Sequence, residues 1–236
     1  MKCLEFYNQK FEDVVRNELL IYDRPITDED ALLAYDLDCS EFTFDIEDCE
    51  TLCAFKNLDW LSINVSFEDL SFFKSLPNLE ELTMDFYQSF FDCSYLSSLQ
   101  HLRSLAVSGG DLSGFEFLNF NALSQLYELE DLSLHEFGSV DLSALKDMTQ
   151  LTGFFCGYAD KVANIDAISY LTKLEGLTLI DIKIDNLDFL DTLSNDLILN
   201  LCGVEVAGNV DMNKLTRFRE CSLDESIING KKMPWE

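Results

Sequence analysis

Apolar residues recur along this chain in the frame apolar-x-x-apolar-x-apolar. Strong copies are Leu58/Leu61/Ile63, Leu79/Leu82/Met84, Leu102/Leu105/Val107, Leu129/Leu132/Leu134, Leu151/Phe154/Cys156 and Leu174/Leu177/Leu179. Two apolar positions one residue apart predict a short strand with one buried face. Weaker copies flank these six: Ala34/Leu37/Cys39 before, then Ser194/Leu197/Leu199 and Phe218/Cys221/Leu223 after. The middle positions run 37, 61, 82, 105, 132, 154, 177, 197 and 221, in steps of 24, 21, 23, 27, 22, 23, 20 and 24. Steps of that size fit a leucine-rich repeat. One unit cannot bury its apolar edge alone, so the units are expected to stack into an α/β solenoid. It would be a right-handed arc with a concave parallel sheet of about nine strands.

Between strands the pattern is an Asp ahead of a short apolar ladder, as in "DLSFFKSLPNL", "DCSYLSSLQHL", "DAISYLTKL" and "LDFLDTL". Asp69, Asp92, Asp141, Asp166 and Asp188 occupy that place. An Asp followed by apolar residues three or four apart predicts the capped start of a short helix or 3₁₀ turn on the convex side.

The segments "ISYLTKLEGLTL" and "DLSALKDMTQL" resemble the bacterial internalin-type leucine-rich repeat, with strand, Asp-led return and next strand in that order. The beginning is similar to that group too. In "FEDVVRNELL" the apolar Phe11, Val14, Val15 and Leu19 fall on one helical face, and in "PITDEDALLAY" Thr27 can cap a helix whose third residue is Asp30. The resemblance implies a helical N-terminal cap over the first strand. It departs at the Asn that the family places three residues after the last strand leucine. Here those positions read Ser66, Tyr87, Gly110, Phe137, Ala159, Ile182 and Cys202, so hydrogen bonding between coils must be arranged otherwise. Near the end, Asn229-Gly230 in "SIINGKKMPWE" is a two-residue hairpin signal, read as a C-terminal cap that blunts a sheet edge. The expected domains are a helical cap over 1–33, repeats over 34–224 and a hairpin cap over 225–236.

Composition narrows the function classes. Sixteen Lys plus Arg against 44 Asp plus Glu give a net charge of -28 in 236 residues, which argues against a basic footprint for nucleic acid or anionic lipid. No run approaches a membrane span and no secretory signal leads the chain, so a cytoplasmic location is expected. The eight cysteines are scattered; Cys49 and Cys53 sit at a spacing that suits neither a zinc knuckle nor a redox pair, and mostly buried thiols are expected. "DIEDCE" and "TDED" do not follow the EF-hand ligand order. No metal or other cofactor is expected.

Strand parity assigns the candidate site. If Leu132 and Leu134 face the core, then Asp131, Ser133 and His135 face outward, and the same rule over nine strands gives 27 concave positions with no Lys or Arg. Eight are acidic: Asp36, Asp38, Glu81, Asp85, Asp131, Asp196, Glu220 and Asp224. Aromatic side chains on a rigid face are favoured binding anchors. The expected partner-binding set is therefore Trp60, Glu81, Asp85, Asp131, His135, Phe155 and Tyr158. Phe86 and Phe137, just beyond strand ends, are expected to fold back into the turns. The 27-residue step holds an enlarged turn over 108–123 beside His135, and its glycines make no phosphate loop.

Ser133 and His135 share a face, but a flat sheet offers no strained nucleophile turn or oxyanion site, and Cys156 points the opposite way. The chain is accordingly read as a non-enzymatic protein-interaction module taking a basic protein or peptide on its concave face. One alternative is an inhibitor or immunity-like protein against a basic enzyme, similar in acidity and cysteine content to the ribonuclease inhibitor. A remote one is a hydrolase using Ser133 and His135.

Overall fold

The structure, a computed structural model, describes residues 2–110 and 114–234; Asp111, Leu112 and Ser113 of the enlarged turn, with Met1, Trp235 and Glu236, lie outside them. Among the described residues, nine strands pair in parallel and in chain order. They are β1 (Asp36–Phe44), β2 (Trp60–Val65), β3 (Glu81–Phe86), β4 (Ser104–Ser108), β5 (Asp131–Asp141), β6 (Gly153–Ala163), β7 (Gly176–Ile180), β8 (Ile198–Cys202) and β9 (Glu220–Ser222). Each contributes its frame residues to one continuous core; Leu37, Leu61, Leu82, Leu105, Leu132, Phe154, Leu177 and Leu199 are all buried.

The eighth unit differs from the expected frame. Leu199, not Leu197, lies opposite Leu177, and Cys221 lies opposite Leu199, so the last steps are 22 and 22 residues. Leu197, Leu199 and Leu201 alternate, and a two-residue slip keeps every leucine on its face, so alternation alone does not fix the register. The correction takes Asp196 out of the concave rows and puts Cys202 in. A second correction falls on β1, where a register shift after Cys39 places Thr43, not Ser40, opposite Asn64.

The returns are 3₁₀ turns, from Ser71–Ser75 through Leu142–Asp147 to Met212–Arg217. Asp69, Asp92 and Asp141 cap as expected, each accepting from the backbone N–H two residues on, at 2.9 Å. Asp166 and Asp188 do not. They sit inside the first turn, behind Asn164 in left-handed backbone and Asn186, which itself accepts from the Asp188 N–H at 2.8 Å. Asn164 instead donates to Asp141 of the previous coil at 2.7 Å, and Asn119 likewise to Asp92 at 3.0 Å.

Coil-to-coil bonding is arranged by a second ladder rather than an asparagine row. After the concave strand, Glu136, Tyr158, Asp181, Gly203 and Glu225 turn a corner at φ of 52°, 58°, 46°, 64° and 57°. Beyond the corner the chain is again extended and paired. The far half of β5 pairs with that of β6, and Lys183–Ile184, Glu205–Val206 and Ile227–Ile228 pair in turn. The residues at the asparagine position then face inward: Phe137, Ile182 and Val204 are buried, and so is Ser226. Ser226 alone keeps the polar role, donating through Oγ to Leu201 O at 3.0 Å and accepting from Val204 N–H at 3.1 Å.

At the start, α1 (Gln9–Leu19) buries Phe11 and Val15, while Val14 and Leu19 pack partly buried beside them. Thr27 and Asp30 form the capping box of α2 (Asp28–Ala31). "DIEDCE" falls in α3 (Ile46–Leu52) and its cap, which carries the buried Asp48 and Cys49. At the other end Asn229 and Gly230 turn the hairpin at φ of 53° and 70°. Its second strand, Lys231–Lys232, ends the second ladder rather than the concave sheet.

All eight cysteines are free, with Cys39, Cys49, Cys93 and Cys156 buried. Phe86 and Phe137 do fold inward. They join Phe91, Phe115 and Phe117 in a chain of ring contacts at 4.8 to 5.5 Å.

Candidate partner-binding site

The register lines the outward side chains up in three rows across the concave sheet. The first reads Asp36, Trp60, Glu81, Ser104, Asp131, Gly153, Gly176, Ile198 and Glu220. The middle row reads Asp38, Ser62, Thr83, Ala106, Ser133, Phe155, Thr178, Asn200 and Ser222, and the third runs Asn64, Asp85, Ser108, His135, Gly157, Ile180 and Cys202. These rows hold six carboxylates and no lysine or arginine.

Of the expected set, Trp60 and Glu81 are direct neighbours in the first row. Asp131 lies two strands beyond, and its carboxylate fills the space over Gly153, where a Cβ would meet Oδ1 at 2.0 Å. Burial, with repulsion from Glu130 and Glu175, raises the Asp131 pKa above the ordinary carboxylate value. His135 and Phe155 come together on β5 and β6, and Asp85 stands in the same row as His135 with Ser108 between them. Tyr158 stands at the corner midway along β6, exposed and in left-handed backbone, so it lines the rim. The set is thus one patch around His135 with an outlying pair at Trp60 and Glu81.

The center of the patch is a stack. The His135 and Phe155 rings lie 4.0 Å apart at 18°. His135 is opposite Gly157, not Phe155, so the contact is diagonal. Gly157 permits it, because a side chain there would meet the Phe155 ring at 3.0 Å. Burial lowers the His135 pKa below its ordinary value, outweighing the pull of Glu136 and Asp85 in the other direction. The same burial favours the neutral imidazole over the charged one. No hydrogen bond joins Ser133 to His135 among the described residues.

Beside the stack is a hollow of about 240 Å³ lined by Thr83, Met84, Asp85, Ala106, Val107, Ser108, His135 and Glu136. Ser108 Oγ donates to Glu136 Oε2 at 3.2 Å and accepts from Gly110 N–H at 3.1 Å. The expected set omitted Ser108 and Glu136. Parity placed Ser108 on the face without marking it as special, and Glu136 lies off the frame at the corner, where no residue-type signal pointed to it. Tyr87, exposed just past β3, adds an aromatic ring at the strand ends.

His101 is distant in sequence register from this face; it sits in a return segment 3.4 Å from Glu128. Among the described residues no group of three or more His, Cys, Asp or Glu side chains is placed to hold a metal ion, and no helix is long and apolar enough to cross a membrane.

No family model matches the sequence, and no curated protein matches it. Solved structures do. Internalin C2 of Listeria monocytogenes superposes with a TM-score of 0.70 at 18% identity, covering 92% of this chain and 92% of that one. An internalin, InlF, from the same organism gives 0.68 at 18% identity over 92% of this chain, which spans 62% of that structure. A TDR receptor gives 0.60 at 17% identity, over 84% of this chain and 36% of the receptor. The architecture is therefore that of an internalin-type leucine-rich repeat solenoid.

Proposed function

We propose that this protein is a non-enzymatic interaction module that holds a basic protein or peptide segment on its concave face. The observation that supports this reading most directly is the make-up of the three outward rows, with six carboxylates, no basic side chain, and the His135–Phe155 stack beside Asp85. A sheet whose other face is locked into the core presents these groups without ordering them on binding, which lowers the entropic cost of association. The stacked rings supply a flat apolar anchor, and Asp85 and Glu136 flank it with negative charge. An inhibitor that covers a basic enzyme would be one instance of this function.

A partner isolated on the protein tests the reading through two variants and salt. Phe155→Ala and Trp60→Ala are each expected to weaken binding by about 1–3 kcal/mol, Phe155→Ala more strongly. Raising ionic strength from about 0.05 to 0.5 M is expected to slow association while leaving dissociation nearly unchanged. Full affinity in both variants, with no salt dependence, would place the contact elsewhere.

A further inference from the structure

The hollow on the concave face exists because its middle is small. Across the third row Asp85 and His135 stand on β3 and β5 with Ser108 between them, and in the middle row Ala106 lies between Thr83 and Ser133. Two strand spacings put the flanking backbones about 10 Å apart, and Ser108 and Ala106 leave the space between them unfilled. At about 240 Å³ this space lies below the roughly 300–1,000 Å³ of a small-molecule site and suits a single long side chain.

Its walls differ in kind. One is the imidazole of His135. The Phe155 ring lies over Gly157, where a Cβ would meet it at 3.0 Å, and Gly157 is the cross-strand neighbour of His135 on β6. The two rings therefore stack across the strands, and the imidazole face away from Phe155 is turned to Ser108 and the hollow. The other walls bear Asp85 and Glu136, and both carboxylates pull on the charge state of His135, so both act across the same small space. Ser108 Oγ donates to Glu136 Oε2 at 3.2 Å, which orients that carboxylate and leaves it acceptor capacity to spare. Among the described residues no lysine or arginine lines the hollow. A flat ring face and two carboxylates around a slot for one side chain match a guanidinium, which is planar, stacks on aromatic faces and donates in a fork. A lysine ammonium is a compact point charge and makes no use of the flat wall.

We infer that the hollow seats one arginine side chain of the partner, its guanidinium stacked on His135 and hydrogen-bonded to Asp85 and Glu136. This seat depends on the concave face being the contact surface, as proposed above, and specifies the residue type that the partner inserts there.

The probe is the blocked pentapeptide Gly-Gly-Arg-Gly-Gly, compared with versions carrying lysine or citrulline, the uncharged isostere of arginine, in the central place. The His135 ring protons are followed by NMR on the full chain. The arginine peptide is expected to shift them saturably and to lower the His135 pKa, because a bound cation disfavours the charged imidazole. The lysine peptide is expected to bind more weakly, and the citrulline peptide at least about tenfold more weakly. Asp85→Asn and Glu136→Gln are each expected to weaken the arginine peptide about tenfold, the loss of one charge-assisted contact. No saturable shift below about 10 mM, or equal binding of the citrulline peptide, would overturn the seat. So would lysine binding as strongly as arginine, which would make the hollow an unselective acidic one. A silent arginine peptide beside an isolated partner that is lost on Phe155→Ala and Trp60→Ala would remove the seat and leave the concave face as the contact. A seated arginine peptide beside a partner indifferent to both variants would overturn the concave-face reading and leave the hollow as an arginine site.

Discussion

His135 carries the clearest signature of its surroundings. Its pKa is lowered chiefly by burial, Phe155 stacks on its ring, and the glycine at 157 leaves room for that stack. Phe155→Ala is therefore expected to raise the His135 pKa toward 6.5, measured by NMR titration of the ring protons; a value that stays put would mean that Phe155 is not the cover. Two carboxylates near the N-terminus pull stability in opposite directions with pH. Asp48 is buried, accepts from Asn8 N–H at 3.0 Å, and leaves Oδ2 without a partner; burial raises its pKa. Such a group favours the fold below the unfolded value near 3.8, and that contribution is lost as pH rises through the folded pKa. Asp48→Asn is expected to raise the melting temperature at pH 7 by about 2–4 °C per kcal/mol recovered, and to leave it unchanged near pH 3. Asp30 is the reverse case. The Arg24 guanidinium, at 2.6 Å, holds its carboxyl well below the usual range, helped by Thr27. Its contribution is present above pH 3.8 and is lost as pH falls through the folded pKa. Asp30→Ala also removes half of the capping box and is expected to cost about 1–2 kcal/mol at pH 7 by denaturant titration.

The elements show which parts of the fold the sequence carried. Strand positions were legible because buried leucines at fixed spacing leave their period in the sequence, and six strong copies did so without exception in the pairing register. The slip at Leu197 was not legible, since three alternating leucines satisfy the same face in two registers. Nor was the second ladder. Its corner asks for left-handed backbone, and of the five corner residues from Glu136 to Glu225 only Gly203 has the residue type that announces it. Gly203→Ala combines a φ of 64° with a Cβ 2.0 Å from the Asp181 carboxylate, and is expected to destabilise by more than about 1 kcal/mol. Gly176→Ala, with nothing within 4 Å of its Cβ, is expected to be neutral within about 0.5 kcal/mol. Ser226→Ala leaves a buried Val204 N–H without its acceptor and is expected to cost about 1–3 kcal/mol. Equal stability of Gly203→Ala and Gly176→Ala would contradict the corner as a constrained feature.

On the scale of the whole molecule, a net charge of -28 acts over the entire surface, while the concave face adds geometry to it by placing six carboxylates on a rigid sheet. Parity alone carried Asp85, Asp131, His135 and Phe155 to that face. The hollow at Ser108 and Glu136 depended on a corner conformation with no sequence signature, so it could not be read in advance. The central claim is that the partner meets the concave face. The most direct measurement is parallel capture from native lysate, with proteins identified and quantified by mass spectrometry. The baits are the wild-type chain, a concave variant (Trp60→Ala/Phe155→Ala) and a variant of exposed tyrosines at the return turns (Tyr127→Ala/Tyr170→Ala). The account predicts a basic protein retained by the first and third and lost by the second. Loss from the tyrosine variant with retention by the concave one would contradict it.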